Sequence, residues 1–206
     1  MLKNANPEFP LKGKMIFFAT ANIHKFNEAR HILGNLEIAI GMLKLKGDEI
    51  QSDNLQEIAE KSVQTAYKQC LLPIIVEDAG LFIDTLQGFP GPYAAYAYKT
   101  LNNNGILKLL ENKENRQATF KSIISYCDDQ TRFDPLSFYG QSQGTITTQE
   151  RHGQDKRGFG FDPIFQPNNS PKTFAEMTMQ EKNSHSHRAE ALHKFAQWYK
   201  SNHATE

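Results

Sequence analysis

Thr20-Ala21-Asn22-Ile23-His24-Lys25 joins an apolar run, Lys14–Ala19 (KMIFFA), to a stretch with helical periodicity. A strand that ends in such a turn and opens a helix presents unpaired backbone N–H groups and the positive end of the helix dipole. That is an anion site in principle, and Lys25 adds a mobile positive charge. The alternative is an ordinary strand–helix turn with Asn22 as the N-cap. The glycines of a P-loop or of a dinucleotide fingerprint are absent here. Glu77-Asp78-Ala79-Gly80 follows a second apolar run, Ile74–Val76, and reads as paired carboxylates at a strand end before a Gly turn. Adjacent strand residues point to opposite faces, so only one of the two enters a given site. A carboxylate there suits Mg²⁺, which takes oxygen ligands; the alternative is a solvated strand end. Asp48-Glu49 lies upstream in a polar loop.

Two later stretches add other chemistry. In Gly158-Phe159-Gly160-Phe161-Asp162, small residues alternate with rings, so backbone can approach a flat ligand while an aromatic stacks on it. Asp162 could accept from ribose or base, although an aromatic-anchored turn reads equally well. Glu181–Arg188 (EKNSHSHR) gathers donors before the last helix. His185 and His187 lack a third ligand in any zinc pattern, and Lys182 and Arg188 suit phosphate or a carbonyl oxygen better.

The elements that must position these groups are legible as periodicities. Phe26, Ala29, Ile32 and Leu33 mark a helix ended by Gly34, and a second strand is expected near Leu36–Ile40. Leu55, Ile58, Ala59, Val63, Ala66, Tyr67 and Cys70 repeat at helical spacing, with Asn54 and Glu57 as a capping box. Beyond Gly88-Phe89-Pro90-Gly91-Pro92 comes a helix-like stretch, and Asn103 caps another through Ile106, Leu107 and Leu110. Ala118–Tyr126 and Leu136–Thr147 read as antiparallel strands. Leu192, Phe195, Ala196 and Tyr199 mark the last helix. Residues 1–13 form a loosely held arm, and 14–206 a single mixed α/β domain.

Composition limits the function classes. Lys+Arg and Asp+Glu both number 23, a formal net charge of zero, which argues against a strongly basic nucleic-acid binder. The apolar run at Leu71–Val76 is far shorter than the roughly 20 residues of a spanning helix. The N-terminus does not read as a secretory signal. Cys70 and Cys127 stand alone, as structural thiols of a reduced cytoplasmic protein.

Taken in order, Thr-x-Asn-x-x-Lys, Val-Glu-Asp-x-Gly-Leu, Gly-x-Pro-Gly-Pro-Tyr, Gly-Phe-Gly-Phe-Asp-Pro-Ile-Phe and Phe-Ala-Glu-Met…Glu-Lys-Asn…Ser-His-Arg resemble the motifs of the inosine triphosphate pyrophosphatase family, from about Met15 to Tyr199. The resemblance implies hydrolysis of non-standard purine nucleoside triphosphates (ITP, dITP, XTP) to the monophosphate and pyrophosphate. It implies an α/β fold: an elongated mixed β-sheet flanked by helices, with two lobes around a central substrate cleft, usually as a homodimer. By the same resemblance Thr20–Lys25 is the phosphate-binding loop, and Lys61 and Ala79 are further substrate contacts. Glu49 and Asp78 would hold Mg²⁺, with Asp78 also the general base. Phe159, Gly160, Phe161, Asp162, Lys182, His187 and Arg188 would recognise base and ribose. The sequence departs from the family pattern at Ala21, at Ala79, at Ala95-Tyr96, where many members have a Ser-Ala-Arg ending, and at Glu150–Gly158, which replaces a Pro-Arg-Gly stretch. A silent nucleotide-binding module and a pyrophosphatase for other nucleotides are the rival readings.

Overall fold

A computed structural model describes residues 15–45, 50–153 and 158–203. The expected arm at 1–13 and the expected ligand Glu49 lie outside the described residues.

Strand β1 (Ile16–Ala19) runs into helix α1 (Ile23–Asn35), and Asn22 is the N-cap, its side chain accepting from the His24 and Lys25 N–H groups. Gly34 sits inside the last turn of α1 rather than after it. Strand β2 is Ile40–Leu43, four residues later than the expected start at Leu36. Leu36 and Ile38 do not begin a strand because their N–H groups return to the Leu33 carbonyl, closing the helix end, with Glu37 left-handed between them.

Helix α2 (Leu55–Cys70) has Asn54 as its N-cap, accepting from the Gln56 N–H, but the expected capping box does not form: the Asn54 N–H donates to Ser52 Oγ, and only the Asn54 side-chain amide reaches Glu57 Oε1, at 3.4 Å. Strand β3 spans Ile74–Ile83, ten residues. Glu77 and Asp78 therefore lie in mid-strand, not at a strand end, and Gly80 makes no turn. Strand β5 (Gln117–Cys127) explains the extra length, since it pairs antiparallel with β3 continuously from Ile74↔Cys127 to Ile83↔Ala118. The two-residue strand β4 (Pro90–Gly91) leads into α3 (Ala94–Leu109), whose two helical parts meet at a non-helical Asn102. Strand β6 (Leu136–Ile146) pairs antiparallel with β5, as expected, and β7 (Phe165–Pro167) pairs with β6. Short helix α4 (Met179–Asn183) precedes α5 (His187–His203).

The result is one mixed seven-stranded sheet flanked by helices, ordered β2-β1-β3-β5-β6-β7, with β4 on β3. β1 is parallel to β2 and β3; every other pairing is antiparallel. Side-chain alternation along β3 sorts its residues by face. Ile75 joins a core with α1 and α5, and Leu81 and Ile83 join a second core with Phe161, Phe165 and Phe174. Ile74 and Val76 face the other way, onto α2. Glu77 is thus on the α1/α5 side and Asp78 on the α2 side.

One consequence of the pairing matters for the site. β1 covers β3 only at Ile74 and Ile75, and β4 only at Leu81 and Phe82. β5 pairs with the opposite edge along its whole length, so among the described residues no strand covers the other edge of Val76–Gly80, between β1 and β4. Gly80 permits this fork: a Cβ there would lie 2.5 Å from the Gly91 carbonyl oxygen. The end of β1 delivers the Thr20–Lys25 turn beside the gap.

Candidate functional site

The turn is organised by its own side chains. Thr20 Oγ1 accepts from the Asn22 N–H at 3.1 Å, and Asn22 Oδ1 accepts from His24 and Lys25 at 3.0 and 3.2 Å. Thr20 itself donates to the Leu43 carbonyl. Among the described residues no partner is found for the Ala21 and Ile23 N–H groups, and both residues are exposed. Two donors at the start of a 13-residue helix are thereby available to an anion. Lys25 reaches across to β3, 3.5 Å from the Glu77 carbonyl oxygen and 3.3 Å from Glu77 Oε2. The expected phosphate turn and the expected acidic strand therefore meet.

Behind the turn lies a closed charge cluster. Lys182 Nζ donates to Glu28 Oε1 at 2.7 Å and to Asp162 Oδ2 at 2.8 Å. Arg188 Nη1 pairs with Glu28 Oε2, and its Nε donates to Glu77 Oε1 at 2.9 Å. Ser122 Oγ donates to the same Glu77 oxygen at 2.9 Å. With Lys25, three cations meet three carboxylates, so the cluster is neutral, which is the condition for charges to tolerate burial. Burial alone would raise the Glu28 carboxyl, but Arg188 and Lys182 hold it down at about 2. Glu77 is likewise held well below the usual carboxylate range, burial being outweighed by Arg188 and then Lys25. Burial opposes the charge on Lys182, and Asp162 and Glu28 outweigh it and raise its pKa.

Arg188 uses Nε and Nη1 in these pairs and leaves Nη2 without a partner among the described residues. His187 is buried flat against Phe120, ring centroids 4.7 Å apart and 6° from parallel, and its Nδ1 has no hydrogen-bond partner among the described residues. Burial, then the charge of Arg188, push it down to about 3, so it is neutral near pH 7.

The glycine–aromatic turn closes over this cluster. Phe159 N–H donates to Asp162 Oδ2 at 2.9 Å, and Phe161 is buried in the second core. The Phe159 ring stacks on His24 at 5.2 Å, with Lys182 Nζ 5.1 Å from its centroid. Gly160 takes φ +61°, a conformation that suits glycine. Between this turn, α1 and α4 opens a cleft of about 270 Å³, lined by His24, Glu28, Phe159, Phe174, Met177 and Lys182 among others. It offers aromatic walls and a charged floor, the make-up of a nucleobase pocket.

Asp78 and Ala79 lie in the Val76–Gly80 stretch of β3, opposite Ile123 and Ser122 of β5, with Asp78 on the α2 side and outside that cleft. Lys61 is on α2 but exposed, on the side opposite Ala59 and Val63. Among the described residues no group of three or more His, Cys, Asp or Glu is arranged to hold a metal ion. Mg²⁺ needs no such group: one or two carboxylates with phosphate oxygens and water satisfy it, and Asp78 supplies a suitable oxygen.

Glu28 and Ser122 were not among the sequence candidates. Glu28 had a signal: it lies three residues after Lys25 and four before the buried Ile32, so a charge falls on the inward stripe of α1. Ser122 had none, being one small residue in a strand.

A family model described as the Ham1 family matches residues 16–198. A dITP/XTP pyrophosphatase of Methanopyrus kandleri is 47% identical over 187 residues, covering 91% of this chain and 97% of that protein. The dITP/XTP pyrophosphatase of Thermococcus kodakarensis is 45% identical over 185 residues, covering 90% and 97%. Among solved structures, a HAM1 protein from Coxiella burnetii superposes with a TM-score of 0.79 at 30% identity, covering 91% of this chain and 99% of that one.

Proposed function

This chain belongs to the Ham1 family, and from that premise we propose that it hydrolyses dITP, ITP and XTP to the nucleoside monophosphate and pyrophosphate. The observation that supports this reading best is the meeting of the Thr20–Lys25 turn with β3 beside Asp78, next to an aromatic cleft floored by Lys182. A triphosphate laid on the turn would cross the Val76–Gly80 stretch of β3 while its base enters the cleft.

The reaction places water in line on the phosphorus that joins the nucleoside to pyrophosphate. Such transfer depends on positioning and on neutralised charge rather than on covalent help. The Ala21 and Ile23 N–H groups and Lys25 take phosphate oxygens, and Asp78 accepts the proton of the attacking water. Mg²⁺, for which Asp78 and Glu49 are the proposed ligands, supplies further neutralisation of the phosphate charge when bound. Asp162 and Lys182 orient base and ribose. Arg188 Nη2 is a donor, which suits the 6-oxo group of hypoxanthine and xanthine. Adenine would set its amino donor against it, and a mispaired buried polar group costs about 1–3 kcal/mol.

Among the described residues no helix is long and apolar enough to cross a membrane. The same proposal takes the protein to act in the cytoplasm as a homodimer, with no nucleic-acid partner. The test is to incubate the full chain with dITP, XTP, ITP, GTP and ATP, with and without Mg²⁺. Release of pyrophosphate from the first three, dependent on the metal, is the expected result. Orthophosphate as the first product, or equal turnover of ATP, refutes the assignment.

A further inference from the structure

Glu77 has no role in the reaction just described, yet its side chain is fully enclosed and touches both ends of the site. Its Oε1 accepts from Arg188 Nε at 2.9 Å and from Ser122 Oγ at 2.9 Å, while Oε2 lies 3.3 Å from Lys25 Nζ. Arg188 opens α5 at the nucleobase end; Lys25 is in the first turn of α1 at the phosphate end. Glu28, the other central carboxylate, binds Lys182 and Arg188, both at the nucleobase end. Among the described residues Glu77 is thus the carboxylate that bridges the two.

We propose that Glu77 is a positioning residue that makes the grip on the base and the grip on the phosphates interdependent. This rests on the function proposed above and adds to it a residue through which the two subsites share one anchor. Lysine and arginine side chains are rich in rotamers, and holding them in place before the ligand arrives spares that entropy at binding. The Ser122 hydroxyl fixes the Glu77 carboxylate, and the carboxylate fixes both cations. Lys25 also contacts the Glu77 carbonyl, so its hold reaches the backbone one residue before Asp78. Losing the carboxylate therefore loosens Arg188 and Lys25 together.

The test uses Glu77→Gln, which keeps the shape and removes the charge, and Ser122→Ala, which keeps the charge and removes only its orienting donor. Binding of inosine monophosphate and of pyrophosphate with Mg²⁺ is measured separately by calorimetry on the full chain. Glu77→Gln should weaken both by about tenfold or more, and lower the ITP-over-ATP ratio of kcat/KM. Ser122→Ala should weaken both in the same sense by a smaller factor, about two- to fivefold. A loss at one end only, or a lowered melting temperature with both affinities intact, overturns the proposal. Should Glu77→Gln fail to fold, Ser122→Ala decides by the same two affinities. Wild-type release of pyrophosphate from ITP is the separate control. Its absence counts against the function, whereas an active wild type with unchanged affinities in the variants counts against Glu77 alone.

Discussion

At the scale of single residues, two adjacent carboxylates of similar chemistry have been given different work by strand alternation. Glu77 turns to the α1/α5 side, where Arg188 and then Lys25 hold it ionised against its burial. Asp78, the next residue of β3, turns to the α2 side. The exchange of Asp78 for Asn removes the proposed proton acceptor with almost no change of shape. Turnover of dITP should fall by about 10²–10⁴-fold, the usual worth of a general base, while nucleotide still binds. Steady-state kinetics with equilibrium binding of the substrate checks this; unchanged kcat would remove Asp78 from the mechanism. The clustering of charge around Glu28 was hidden from the sequence for a physical reason. Its partners Lys182 and Arg188 come 154 and 160 residues later, and nothing local signals which distant cations a buried carboxylate will meet.

At the scale of elements, the site depends on how closely α5 sits on the sheet. Gly140 in β6 lets the first turn of α5 approach: a Cβ there would lie 2.1 Å from the His187 carbonyl oxygen and 2.6 Å from the Ala191 nitrogen. Both are backbone atoms, so the helix must shift, and it holds His187 and Arg188. Gly140→Ala should destabilise the fold by about 1–3 kcal/mol and raise KM as Arg188 leaves its carboxylates. Gly34→Ala in α1 is the matched control, since a Cβ there meets nothing within 4 Å. It should stabilise by roughly 0.4–1 kcal/mol. Thermal melts of the two variants with KM for dITP separate these outcomes. Helices α2 and α5 and strands β5 and β6 were legible because each shows its own period over ten or more residues. The start of β2 and the length of β3 were not. β2 was masked by apolar residues that serve the end of α1, and β3 was extended by pairing with β5, some 40 residues on.

At the scale of the whole molecule, the buried charges set how the fold answers acid. His187 stays neutral in the native state down to about pH 3 but takes a proton near 6.5 when unfolded. Below pH 6.5 the unfolded chain thus binds a proton that the native chain refuses, and stability falls with pH by up to about 1.4 kcal/mol per unit. Glu28 acts in the same direction at lower pH. Its contribution is present above the usual 4.5 and is lost as pH falls toward its native value of about 2. The melting temperature should therefore decline between pH 6.5 and 4.5. In His187→Phe, which keeps a ring against Phe120 and removes the titration, it should decline less steeply. Parallel melts from pH 8 to 4 are the measurement; equal slopes in the two proteins would contradict the role given to His187.

Strands β3 and β5 contribute side chains to all three hydrophobic cores, and the Val76–Gly80 interval of β3 lies on the strand that ties them together. Asp78, the proposed base, is therefore carried on a strand that all three cores share. The turn at 158–161, proposed to meet the base, is irregular backbone hung from its rim. On the proposed reading, reactivity belongs to the sheet and discrimination to a connecting turn. Substitutions that reshape the rim can retune which bases are admitted while the keel beneath them stays as it is.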